Sequence, residues 1–171
     1  MKILVIQQKM IGDVLTSSIL FRAIREQFPD AELHYLIQSH TLPVVENNPY
    51  IDQIIFDRTT AEATNVSLPV FAKYMAEARY DYILDVYSKL GTAFLCLPSS
   101  AKSIGYKKWY TQFVYNKTIS YLKKPKTNAG LAIENRLRLL QILPGNFPDS
   151  FKPNSLLKRK IKRSSFYARL K

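Results

Sequence analysis

A near-continuous apolar run at the start of the chain, Lys2-Ile3-Leu4-Val5-Ile6-Gln7, constrains the fold more than any other feature. A strand with one face in water alternates apolar and polar residues. A β-branched run without alternation is buried on both faces, as in a parallel sheet covered by helices. After a loop over Gln8 to Gly12, apolar residues recur at Leu15, Ile19 and Ala23, and at Leu20, Ile24 and Phe28. Two adjacent rows at a spacing of four make one stripe along a helix. Pro29-Asp30 closes that helix, and Leu33 to Ile37 reads as the next strand, completing a βαβ unit.

The alternation continues. A short helical stretch around Leu42 to Glu46 leads to a strand at Gln53-Ile54-Ile55-Phe56, and the polar segment Asp57 to Asn65 reads as a loop. Leu68, Phe71, Met75 and Ala78 place a helix over Val66 to Ala78. Tyr82 to Val86 reads as a strand, Lys89 to Leu97 as a helix and Lys102 to Tyr106 as a short strand. Leu131, Ile133, Leu137, Leu140 and Ile142 suit a helix of three or more turns. Strands alternating with helices predict an α/β fold, a Rossmann-like doubly wound parallel sheet. Such sheets bind ligands outside the carboxyl ends of their strands, here the loops containing Gln8 to Asp13, Asp57 to Asn65, Tyr87 to Lys89 and Tyr106 to Tyr110.

Composition excludes several classes. The 171 residues suffice for one ordinary domain. A single cysteine, Cys96, rules out an internal disulfide framework, and with only His34 and His40 beside it no zinc finger can be written. The five glycines, at 12, 91, 105, 130 and 145, fit neither G-x-G-x-x-G nor G-x-x-x-x-G-K-[ST]. No apolar run approaches the ~20 residues of a membrane span, and Ile3 to Ile6 is too short for a signal-peptide core, so the expected location is cytoplasmic. The net charge of +12 is uneven: 8 of the 25 basic residues lie in residues 151–171, which contain no acidic residue.

The sharpest local feature is Met10-Ile11-Gly12-Asp13-Val14, at the junction of the first strand and helix. A carboxylate there meets a ligand at the mouth of the sheet, where Asp13 would act as a general base and Gly12 would let backbone come close. The same position also suits a helix N-cap, bonding the amides of the next turn.

With Lys2-Ile3-Leu4-Val5-Ile6 and Ile11-Gly12-Asp13-Val14-Leu15, followed by Arg22-Ala23-Ile24-Arg25 and Phe28-Pro29-Asp30-Ala31, the chain resembles the opening of glycosyltransferase family 9, the heptosyltransferases of lipopolysaccharide core synthesis. Tyr80-Asp81-Tyr82-Ile83-Leu84-Asp85, Ser103-Ile104-Gly105-Tyr106 and Ala132-Ile133-Glu134 extend the resemblance over roughly residues 1–150. It implies the N-terminal, acceptor-side domain of a GT-B enzyme. That enzyme would transfer a sugar with inversion from a nucleotide donor, ADP-heptose, to a lipopolysaccharide core or related glycolipid. It would use neither metal nor cofactor, and Asp13 would be the base. The implied partners are the glycolipid acceptor, the nucleotide sugar and the surface of the inner membrane, with nucleic acid not expected. Gly12, Lys9, Lys89 and Lys107 would lie on the acceptor side, with Arg58 and Lys73 as weaker candidates.

The chain also departs from the family pattern. It has Gln7, Lys9 and Met10 where many members have an arginine and two serines, and Leu131 where the late helix often opens with histidine. Those loops would line the acceptor, whose identity is left open. The donor-binding half is missing. Residues 151–171 read as a basic tail, a truncated linker or an out-of-frame segment, with a binding arm for anionic lipid or nucleic acid as the rival reading. A second basic region, Tyr106 to Lys126, interleaves lysines with aromatics, suiting either an anionic acceptor or a packed loop with solvated lysines. The alternative function is a small basic α/β binding module. His34 and Cys96 read as packing residues, Asp85 as a turn cap and Lys89 as the better-placed anion contact.

Overall fold

The computed structural model describes residues 1–58, 66–147 and 162–163. Strand β1 (Lys2–Ile6) leads into helices α1 (Ile11–Ser17) and α2 (Ile19–Gln27), then β2 (Glu32–Ile37), a 3-10 helix (Ser39–Val44) and β3 (Gln53–Phe56). Helix α3 (Leu68–Glu77), β4 (Tyr82–Asp85), α4 (Leu90–Cys96), β5 (Lys102–Tyr106) and β6 (Lys117–Ile119) follow. Helix α5 (Leu131–Leu137) runs into a second 3-10 helix (Arg138–Ile142), and β7 (Lys162–Arg163) comes last.

The sheet has the order β6-β5-β4-β1-β2-β3-β7, with every pair parallel. From the central β1 the chain winds outward through β2 and β3, then returns to β4 on the other side of β1 and winds outward again. The sequence-based α/β expectation therefore matches the structure, and the order reverses between β1 and β4. β7 adds to the outer edge through Gln53 opposite Lys162 and Ile54 opposite Arg163. The rest of the basic tail, and residues 59–65 of the expected Asp57–Asn65 loop, lie outside the described residues.

The apolar run of β1 is unbroken because both faces are covered. Ile3 and Val5 enter one core with Val14 of α1, Leu20 and Ile24 of α2, and Leu137 of α5. Leu4 and Ile6 point the other way, into a core with Phe71 and Met75 of α3 and Leu95 of α4. All four β1 residues are fully buried, each contributing about 1.5–3 kcal/mol relative to exposure. His34 and Cys96 pack as expected: His34 bonds Tyr80 and Glu32 through its two ring nitrogens, and Cys96 lies in the second core. Among the described residues no helix is long and apolar enough to cross a membrane.

Three local readings need correction. The expected single helix over residues 15–28 is two helices, broken at Ser18. Its Oγ bonds the Leu15 carbonyl, and the backbone tightens to an i→i+3 turn there. Thr16, Ser17 and Ser18 put three hydroxyls into one turn, and hydroxyls compete with the helical ladder. The helix expected up to Ile142 is α-helical only to Leu137. β6 escapes periodicity altogether, since a three-residue strand with one buried side chain, Ile119, carries no pattern to detect.

Candidate functional site

The strand order reverses between β1 and β4, and in open parallel sheets the loops that follow the two strands at such a point are where ligands bind. The β1 loop turns sharply into α1 at Met10, whose φ of 66° is rare for a non-glycine residue. Met10 occupies the N-cap position and makes no side-chain cap bond. Asp13 is therefore the third residue of α1, and the alternative that made it the N-cap does not hold. Its carboxylate still lies in the first turn, where the helix dipole favours an anion.

The partner of Asp13 is Arg136, on α5. Arg136 Nη2 donates to Asp13 Oδ1 at 2.6 Å, its Nε to Ser17 Oγ at 2.8 Å, and its Nη1 to the Ala132 carbonyl at 2.9 Å. Three bonds in one plane hold a guanidinium that is 11% exposed, while the Asp13 side chain is 49% exposed. Oδ1 is thus fixed, and Oδ2 has no partner among the described residues. Beneath, the Tyr35 hydroxyl donates to the Val14 carbonyl, tying α1 to β2. Gly12 has open space around it, since a Cβ added there would meet nothing within 4 Å.

An aromatic pair stands beside this carboxylate. Buried Tyr106, at the end of β5, stacks on half-exposed Tyr121 with ring centroids 3.9 Å apart and planes 16° from parallel. Both phenols sense the charges of Arg136 and Asp13. Burial pushes the Tyr121 hydroxyl up to about 12, so it remains a neutral donor throughout the physiological range.

On the other side of the switch point, the β4 loop is built around a fully buried carboxylate, Asp85. Asp85 Oδ1 accepts the Ser88 amide at 2.7 Å and Oδ2 accepts the Tyr115 hydroxyl at 2.7 Å. Ser88, at a φ of 47°, returns its Oγ to the Asp85 carbonyl and accepts the Tyr106 amide. Burial pushes Asp85 up to about 6 despite the Ser88 amide, the Tyr115 and Thr92 hydroxyls and the nearby Lys108 charge, all of which oppose that shift. The turn-cap reading of Asp85 is correct, but the residue does more, because it joins β4, β5 and the β5–β6 loop. Gly105 makes this possible: a Cβ there would fall 2.5 Å from the Tyr115 ring.

The lysines divide by role. Lys9, Lys89 and Lys107 are all exposed, and Lys89 Nζ lies 5.9 Å from the Tyr87 ring centroid. Lys108 turns inward, donating to the Tyr87 and Ser88 carbonyls, and its desolvation lowers its pKa. Arg58 reaches back to the Val66 carbonyl, and Lys73 is exposed on the outer face of α3 beside Glu77. Glu134 holds its own loop, accepting the Lys126 and Thr127 amides and the Thr127 hydroxyl, which keep its carboxyl below the usual range. Arg136 is the residue that sequence reasoning missed, whereas Tyr115 and Tyr121 lie in the basic aromatic stretch it singled out. Arg136 reaches Asp13 across 123 positions, and nothing in residue spacing announces that pairing.

No protein-family model and no curated protein matches this sequence. Solved structures do share the fold. E. coli heptosyltransferase WaaC with ADP superposes with a TM-score of 0.71 at 13% identity, covering 92% of this chain and 51% of that one. E. coli ADP-heptose lps heptosyltransferase II gives 0.70 at 19% identity, covering 92% and 47%. A glycosyl transferase family 9 protein from Veillonella parvula gives 0.63 at 18% identity, covering 84% and 41%. The expected resemblance is met at the level of fold, and this chain spans 41–51% of the length of these three structures.

Proposed function

We propose that the chain is the acceptor-side domain of a glycosyltransferase of the heptosyltransferase type. The observation that carries this reading is the Asp13–Arg136 pair: a half-exposed carboxylate at the sheet's switch point, with one oxygen bonded to Arg136 and the other without a partner among the described residues. An acceptor hydroxyl placed at Oδ2 would lose its proton to Asp13 as its oxygen attacks the anomeric carbon of the donor. The bond from that carbon to the diphosphate breaks, the nucleoside diphosphate leaves, and the new glycosidic bond has inverted configuration. Arg136 is a positioning residue here, setting the carboxylate plane before the reaction. Gly12 would let the acceptor approach the backbone, and exposed Lys9, Lys89 and Lys107 would meet its phosphates. The acceptor on this reading is a lipopolysaccharide core or related glycolipid, and the donor is ADP-heptose, without metal or cofactor. Donor contacts would come mainly from a second domain, so this chain alone is expected to show no transfer.

The test is a transferase assay on the gene extended through its downstream coding region, with ADP-heptose and detergent-dispersed core glycolipid. Activity that vanishes in Asp13→Asn with the fold intact supports the base assignment. A folded extended product that transfers nothing, or an active Asp13→Asn variant, overturns it. Steeply salt-dependent binding of any polyanion without preference for glycolipid would instead favour the basic binding module.

A further inference from the structure

The two most exposed large apolar side chains among the described residues are Trp109, at 81%, and Phe113, at 85%. They belong to the same turn. The Thr111 and Gln112 amides both bond the Lys108 carbonyl and the Val114 amide bonds the Thr111 carbonyl, so the backbone coils tightly from Lys108 to Val114 and carries both rings within five residues. Trp109 meets Tyr110 edge-on, at 5.4 Å and 85°.

The base of the turn is rigid. On one flank Lys108 Nζ is bonded to the Tyr87 and Ser88 carbonyls, and on the other buried Tyr115 is bonded to Asp85. An apolar tip is therefore presented on a fixed support rather than on a slack loop.

Charge along the sequence that flanks the tip has one sign. Every charged residue between Asp85 and Glu134 is a lysine. Lys107 is exposed next to the turn, and Lys123 and Lys124 are exposed just beyond Tyr121, which stacks on Tyr106 at the same edge of the sheet. An indole and a phenyl ring at the apex, with exposed lysines on the flanking segments, match the boundary of an anionic bilayer: rings at the depth of the glycerol backbone, ammonium groups among the phosphates.

We propose that the turn spanning residues 108–114 docks this protein onto an anionic lipid surface, with Trp109 and Phe113 entering the interface. The idea deepens the transferase reading, which implies a membrane partner without saying which surface meets it, and fails separately from it, since that assay uses dispersed glycolipid and no bilayer.

Trp109 is the sole tryptophan, so its emission reports this turn and nothing else. The full chain is mixed with phosphatidylcholine vesicles, and with vesicles containing about one third phosphatidylglycerol; flotation measures binding, while emission and quenching by brominated acyl chains measure insertion. The expected result is binding to the anionic vesicles with a blue shift and quenching, and little of either with pure phosphatidylcholine. Phe113→Ser should weaken that binding about tenfold, and Lys107→Gln a few-fold, with unchanged thermal melting because both side chains are exposed. Binding without any change in Trp109 emission would overturn the proposal, because another surface, such as residues 151–171, would then make the contact. The same blue shift with RNA, or in protein alone at rising concentration, would overturn it in favour of a polyanion partner or a second copy. No binding at any anionic fraction would overturn it outright.

Discussion

Asp85 makes the stability of this fold depend on pH in a direction opposite to that of most carboxylates. Its pKa rises from an ordinary 3.8 to about 6 in the folded chain, so the fold binds a proton there that the unfolded chain has released. The favourable contribution is complete below pH 3.8 and is lost as pH rises through about 6. A shift of this size corresponds to about 3 kcal/mol in full, of which about 1 kcal/mol falls between pH 5 and pH 7.5. Asp85→Asn keeps the neutral shape: its carbonyl can accept the Ser88 amide and its amide can donate to Tyr115. Urea unfolding followed by far-UV circular dichroism, at both pH values and for both proteins, isolates the effect, because every other titrating group is common to the two. The variant should gain about 1 kcal/mol relative to the parent on going from pH 5 to pH 7.5. A double difference of zero, or of opposite sign, would mean that Asp85 is ionised and well solvated in the fold, and the reasoning about its burial would be wrong.

Gly105→Ala should cost about 2–3 kcal/mol, since the new Cβ falls 2.5 Å from the Tyr115 ring and 2.9 Å from Ser88 Oγ, and moving Tyr115 breaks its bond to Asp85. A urea midpoint equal to that of the parent would refute the packing argument. For the Asp13–Arg136 pair, a double-mutant cycle of Asp13→Asn and Arg136→Met should give a coupling of about 1 kcal/mol, kept small because Asp13 is half exposed. Strict additivity of the two substitutions would show that the ion pair does not form in solution.

What could be read from residues alone was whatever local periodicity records. The unbroken apolar run of β1 predicted a strand covered on both faces, and Leu4 and Ile6 do lie in a different core from Ile3 and Val5. The β3 and β5 boundaries were legible for the same reason, as was the packing of Cys96. The junction at Ile11-Gly12-Asp13 could be singled out, because a carboxylate following a buried strand has few places to go. Its conformation could not, since the turn into α1 uses a positive φ at Met10, a residue that gives no signal for it.

The rest depends on distances that sequence does not encode. Asp13, Gly12, Lys9, Lys89 and Lys107 were all nameable from the chain, but only the assembled sheet separates a carboxylate paired with Arg136 from lysines that are exposed. Tertiary structure likewise turned Lys108 inward while Lys107 stayed out, a choice made by the carbonyls of Tyr87 and Ser88. Residue order thus determined which segments become strands and helices and which faces they bury, because burial imposes a period on the chain. Folding decided which polar groups meet, because a hydrogen bond depends on position in space, and Arg136 finds Asp13 only after α5 has packed against α1.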